Sequence, residues 1–213
     1  MPEMQLLRNG RSGTVFYVLN GHEDGFADRI NCDAAVVSVK VDDWNREMSP
    51  WKAEKCFKGG EDFGGGAGEY LAALCRMIPE FEEKHGIKAA HRALCGYSLA
   101  GLCALYGLYF SDMFDGAASV SGSLWFDGWT EYMEKNAPAN KKIRAYISVG
   151  DREARTRNMR LAKVEECAVR ACGILNDGGH EAVFELNPGN YFNDPDGRLA
   201  RGIDRLFEMY TRN

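Results

Sequence analysis

The chain has 213 residues, of which 45% are apolar, 27% charged and 11% aromatic, the make-up of a folded domain and not of a disordered segment. Lys and Arg number 26 against 31 Asp and Glu, a net charge of -5, so the cationic surplus that holds a phosphate backbone is missing and nucleic acid is not an expected partner. The length favours one domain spanning 1–213.

The first 13 residues are polar and mixed, without the apolar run and small-residue cleavage site of a secretion signal. Thr14–Leu19 and Ala34–Val41 then read as strands. The segment 42–68 follows, with Trp44, Trp51, Phe57, Phe63 and six glycines but no clear period. A long loop of this kind is expected to wall a site, and its glycines read as a turn entering a helix, because a phosphate cradle would end in Lys-Ser/Thr. Helical spacing predicts a helix over Tyr70–Lys84, closed by Gly86 as a C-terminal glycine. Beyond it come a strand at His91–Cys95, a helix at Leu99–Tyr109, a strand at Gly116–Ser121, and a helix at Trp129–Lys135. The chain closes with a strand at Ile143–Val149, a helix at Arg155–Leu175, a strand at Ala182–Leu186 and a helix at Gly197–Tyr210. Short buried strands alternating with helices predict an α/β fold, a mostly parallel central sheet covered on both faces.

Ala93–Phe110 carries no charge over 18 residues, the lower bound for a membrane span, but the small residues at its centre break it into a strand and a buried helix. No membrane association is expected. The seven cysteines are odd in number and form no Cys-x-x-Cys pair, so they read as reduced thiols of a cytoplasmic protein. His22, His85, His91 and His180 fall in no metal-binding spacing, and no metal or other cofactor is expected.

The strongest local signal is Ala93-Leu94-Cys95-Gly96-Tyr97-Ser98-Leu99-Ala100-Gly101, a strand that meets a small-residue turn and then an apolar helix. That is the pattern of a nucleophile elbow, where Gly96 and Ala100 leave room for a strained serine and the helix starting at Leu99 aims free N–H groups at a developing oxyanion. The alternative is a glycine-rich strand-to-helix junction carrying an inert serine.

On these residues the chain resembles the α/β-hydrolase superfamily, and within it the esterases related to esterase D and the enterochelin esterases. The resemblance extends to Trp44-Asn45-Arg46, Ser49-Pro50-Trp51, Asp62-Phe63-Gly64-Gly65-Gly66, Ser121-Gly122-Ser123-Leu124-Trp125 and Gly150-Asp151-Arg152-Glu153. It implies a small-molecule ester or thioester substrate, a Ser-acid-His triad with Ser98 as nucleophile, and an oxyanion hole shared between the Leu99 N–H and an earlier loop, here near His22. Glu153 stands at the expected acid position with Asp151 as the other choice, although Glu153 and Arg157 are also spaced for a helical ion pair. Arg152, Arg155, Arg157 and Arg160 read as a solvated helix face or as partners for an anionic group. Trp44, Trp51 and Trp125 are candidate substrate-binding walls or ordinary core.

The expected histidine is missing. After the last strand the chain reads Asn187-Pro188-Gly189-Asn190-Tyr191-Phe192, with Tyr191 where relatives carry the base. His180 precedes that strand and should lie about 20 Å from Ser98 at a rise of about 3.3 Å per residue. A phenol with a reference pKa near 10 is a poor acceptor for the serine proton. Three readings follow: a weak or lapsed hydrolase, one that recruits a base such as His22, or a sequence altered from a histidine-bearing parent. A non-catalytic ligand-binding protein on the same fold is the alternative function.

Overall fold

The computed structural model describes residues 2–19 and 25–212. Among these, strands β1 (Met4–Arg8), β2 (Thr14–Leu19) and β3 (Ala35–Val39) come first, followed by a short helix α1 (Trp44–Glu47) and a small hairpin of β4 (Lys52–Ala53) and β5 (Phe63–Gly64). Helix α2 (Ala67–Lys84) leads to β6 (His91–Tyr97), α3 (Leu99–Phe110), β7 (Gly116–Val120) and α4 (Trp129–Lys135). The chain continues through β8 (Arg144–Gly150), α5 (Val164–Asp177), β9 (Glu181–Asn187) and α6 (Pro195–Thr211).

The main sheet has the order β1-β3-β2-β6-β7-β8-β9. All neighbours run parallel except β1, which pairs antiparallel with β3. The central strands are buried on both faces, so side chains alternate between two cores. Val15, Tyr17 and Leu19 join the core under α2–α5, whereas Phe16 and Val18 join the one under α6. The last two face Leu199, Ile203 and Leu206, which recur at helical spacing along α6. A buried polar clip ties α2 to the sheet: Arg92 donates through Nε and Nη2 at 2.7 Å each to the Glu82 carboxylate, which also accepts from the Tyr17 hydroxyl at 2.8 Å.

This topology decides where a site can form. From β2 the chain steps to β3 on one side, and from β6 to β7 on the other, so the crossovers diverge between β2 and β6. At such a switch point a crevice opens beyond the carboxyl ends of the strands. Ser98 sits there, directly after β6.

The six strands and five helices expected from the sequence are all present, most with ends shifted by a few residues, whereas β1 and, within the expected loop 42–68, α1, β4 and β5 were not expected. Two differences have physical causes. The helix expected from Arg155 starts only at Val164, because the hydroxyl of Thr156 accepts from the N–H of Asn158 and the Asn158 side-chain Oδ1 accepts from the N–H of Arg160. These side-chain turns capture N–H groups that a helix would use. Strand β1 escapes a search for apolar runs because it is an edge strand of mixed burial, held by Arg8, whose guanidinium donates to the carbonyls of Ile30 at 2.6 Å and Cys32 at 2.5 Å. The uncharged run Ala93–Phe110 is divided between β6 and α3, and among the described residues no helix is long and apolar enough to cross a membrane.

Gly96 has a steric role that its own φ does not reveal. A Cβ built there would lie 2.4 Å from the carbonyl carbon and 2.7 Å from the Cβ of Ala100. Overpacking of this kind costs about 1–3 kcal/mol. Gly96→Ala should therefore lower the urea midpoint by a corresponding amount with an unchanged m-value, measured by equilibrium denaturation.

Candidate active site

Ser98 has φ 59° and ψ -123°, a backbone conformation that side-chain-bearing L residues rarely adopt. The surroundings hold it there. Its N–H donates to the carbonyl of Val120 at 3.1 Å, and its own carbonyl accepts from the N–H groups of Gly101, Leu102 and Ser123 at 3.0, 3.2 and 2.9 Å. The hydroxyl is half-buried, with Oγ 3.4 Å from Oγ of Ser123. Leu99 opens α3, so its N–H belongs to the helix-start donors that have no intrahelical acceptor. His22, the other expected oxyanion position, lies outside the described residues.

Glu153, the expected acid, lies in the turn after β8. Glu153 Oε1 accepts from the Gly150 N–H at 2.6 Å, the Ser121 hydroxyl at 2.7 Å and Arg198 Nη2 at 2.8 Å. The Glu153 and Arg198 side chains are only 5% and 6% exposed, so this is a buried ion pair. Glu153 is thus paired with Arg198 on α6 and not with Arg157, the spacing-based alternative. Asp151 is half-exposed, and its Oδ1 accepts from the Gly189 N–H at 2.8 Å. The two carboxylates divide the work: Asp151 anchors the segment after β9, while Glu153 faces inward among the groups lining the main cavity.

That segment carries Tyr191. The Tyr97 hydroxyl donates to the Tyr191 carbonyl, and the two rings pack at 5.3 Å with an interplanar angle of 60°. Arg198 Nη1 donates to the Tyr97 oxygen at 3.2 Å and to the Asn190 carbonyl at 3.3 Å. Burial pushes the Tyr97 phenol up to about 12. The described histidines sit elsewhere. His85 caps the end of α2, His91 pairs with Asp115 at the start of β6, and His180 precedes β9.

Three hollows, of about 600, 200 and 190 Å³, each have Ser98 and Tyr191 in their lining. Trp125 and Phe57 border the largest, together with Arg152 and Arg155, and Trp44 borders the two smaller ones. Trp51 is not among the lining residues. Its ring packs against Phe126, Trp129 and Tyr132, and its indole N–H donates to the Asp127 carbonyl at 2.9 Å, which makes it a partly buried residue packed against the core. Arg160, expected on an open helix face, is tied to Asp127 at 2.8 Å and lies over the Trp125 ring at 5.5 Å.

The geometry agrees with what the chain is similar to. The sequence signature of the family described as "Putative esterase" matches residues 11–181. The chain belongs to that family. Among structures, the chain superimposes on an IroE-like serine hydrolase from Shewanella oneidensis with a TM-score of 0.76 and 18% identity, covering 100% of this chain and 77% of that one. The enterobactin esterase FES from Shigella flexneri gives 0.68 and 14%, covering 99% and 56%. These likenesses show the α/β-hydrolase fold. A Bacillus subtilis (strain 168) protein named "Uncharacterized protein YbbA" is 26% identical over 137 residues, 62% of this chain and 55% of that protein, so the match spans about half of the curated relative's length.

Sequence reasoning missed Arg198, Tyr97 and Phe192 as neighbours of the site. Arg198 lies 45 positions beyond Glu153, in a helix whose apolar face gives no hint of a buried cation. Ser121 and Ser123 were within reach, since they flank a glycine directly after a strand.

Tyr97 generates a pH test. Its phenol titrates higher in the folded protein than in the unfolded chain, so its contribution is intact below pH 10 and is lost as pH rises toward about 12. Tyr97→Phe should make the alkaline decline of the urea midpoint shallower than in the parent, read from denaturation curves at successive pH values.

Proposed function

We propose that this protein is a serine hydrolase of the esterase type, acting as one cytoplasmic domain on a small-molecule ester or thioester, with Ser98 as the nucleophile. The observation that carries this reading is the strained Ser98 at the β6–α3 junction, its hydroxyl bordering a hollow of about 600 Å³. Strain of this kind, about 1–3 kcal/mol, persists where the surrounding structure enforces it, and it concentrates at functional sites.

In the proposed reaction, Ser98 Oγ attacks the ester carbonyl and its proton passes to the Tyr191 oxygen, acting as the phenolate, as the tetrahedral adduct forms. The Leu99 N–H, with a second donor from the loop near His22, receives the oxyanion. Collapse expels the alcohol, or the thiol of a thioester, which takes that proton back from the Tyr191 phenol; water, giving a proton to the phenolate in turn, then releases the acid from the acyl-serine, and the phenol returns the proton to Ser98 Oγ. Tyr191 occupies the base position. A phenol is a weak acceptor near neutral pH, so turnover is slow, and the oxyanion donors and binding contribute most of the rate. Trp44 and Trp125 serve as substrate walls.

Incubation with a fluorophosphonate followed by peptide mass spectrometry should find the label on Ser98. Ser98→Ala should abolish both labelling and the hydrolysis of p-nitrophenyl butyrate. Tyr191→His should raise kcat/KM for that ester at least tenfold, toward the roughly 10²-fold or more that a positioned base contributes. Absence of label in both the parent and Tyr191→His would remove the assignment of Ser98.

One observation favours the second reading, a ligand-binding protein without turnover: the Glu153 carboxylate already has a buried counter-ion. Thermal stabilisation by ester-like ligands, with no Ser98-dependent hydrolysis across an ester panel, would establish it.

A further inference from the structure

The guanidinium of Arg198 lies between two parts of the site that a triad would join directly. One arm, Nη2, is 2.8 Å from Glu153 Oε1, and the other, Nη1, is 3.3 Å from the carbonyl of Asn190, the residue before Tyr191. The same arm reaches the Tyr97 oxygen at 3.2 Å, and the Tyr97 hydroxyl in turn donates to the Tyr191 carbonyl. A guanidinium keeps its charge at any working pH. In a Ser-acid-His triad the carboxylate orients the imidazole and stabilises the imidazolium formed when the serine proton moves. Here the carboxylate is already neutralised in the interior, and a second cation beside it would face a like charge.

We propose that Arg198 is a positioning residue that acts through Glu153: it holds this carboxylate as its own counter-ion and thereby denies an acid partner to any base at position 191. The proposal rests on the hydrolase reading for its catalytic meaning, though not for its electrostatics. Changing Tyr191 alone therefore supplies a base without restoring the triad. The triad returns only when the cation is removed as well.

The test compares Tyr191→His with Tyr191→His/Arg198→Lys and Tyr191→His/Arg198→Gln. The introduced imidazole is titrated by NMR, and kcat/KM for p-nitrophenyl butyrate is followed against pH. The charged groups around position 191 are Glu153, Arg152 and Arg155 at the large hollow, Asp196 at one smaller hollow, Lys55 and Glu61 at the other, Asp151 under Gly189, and Arg198 behind Glu153. All but Arg198 are common to the three variants. With Arg198 or its lysine replacement in place, the imidazole should titrate at or below its reference of about 6.5. With Arg198→Gln it should move up by about one unit and kcat/KM at pH 8 should rise about tenfold. Equal titration in all three variants would overturn the proposal. Should Arg198→Gln fail to fold, Tyr191→His alone still decides, because an imidazole titrating clearly above 6.5 would mean that Glu153 serves it despite Arg198. Lack of fluorophosphonate labelling at Ser98 in every variant would instead overturn the hydrolase reading, and the NMR titration would still decide the role of Arg198.

Discussion

The left-handed backbone of Ser98 is the constraint on which the site depends. A residue with φ 59° cannot extend β6 or begin α3 in regular geometry, so the chain makes its strand-to-helix reversal at that one residue. The penalty is offset by hydrogen bonds that reach three neighbouring segments: Val120 at the end of β7, the first turn of α3, and Ser123 beyond the β7 turn. Close packing completes the arrangement, since Gly96 touches Ala100 where any side chain would collide. Among the described residues other than glycine, three have positive φ: Ser98, Ser121 and Asp194. Ser121 donates to Glu153, and the Asp194 side chain caps α6, the helix that carries Arg198. Backbone strain therefore gathers at the site and the segments that support it, while the sheet beneath remains regular.

The same rim carries an electrostatic arrangement that a sheet alone does not require. Burying a carboxylate and a guanidinium costs several kcal/mol of hydration for each ion, recovered only with good geometry and further hydrogen bonds. Glu153 and Arg198 meet that condition, through Ser121 and the Gly150 N–H on one side and Tyr97 and Asn190 on the other. Replacing the pair with apolar side chains would be expected to cost little stability, so its presence fits a role in shaping the site better than a role in holding the fold.

How much of this was legible in the sequence follows from the range of each interaction. Strand–turn–helix punctuation is local: Gly96, Ser98 and Ala100 announce a tight reversal through their own sizes, and the alternation of short apolar runs with helical ones announces a parallel sheet. The Glu153 turn was legible for the same reason, because Gly150 ends a strand. Arg198 was not, since its partners sit 45 and 101 residues away and nothing in its own neighbourhood requires a cation. The three tryptophans show the same limit. Trp51 and Trp125 look alike in sequence, yet one meets the rings of Trp129 and Tyr132 and the other faces a hollow, a difference decided by where distant helices land. The helix expected from Arg155 failed because periodicity was read past Thr156 and Asn158, whose short polar side chains favour turns.

That failed helix has a structural consequence at the site. Residues 154–161 form an irregular wall because Asn158 donates to the Cys56 carbonyl at 2.8 Å and Arg160 to the Glu54 carbonyl at 3.0 Å, fastening this segment to the loop that bears Phe57. Phe57 and Arg155 are thereby set into the lining of one hollow with Ser98. The wall is held by side-chain-to-backbone bonds and takes no part in the sheet ladder, so its shape and charge can differ without disturbing β6 or α3. The lining of this hollow can therefore change in these two loops while the β6–α3 junction keeps its geometry.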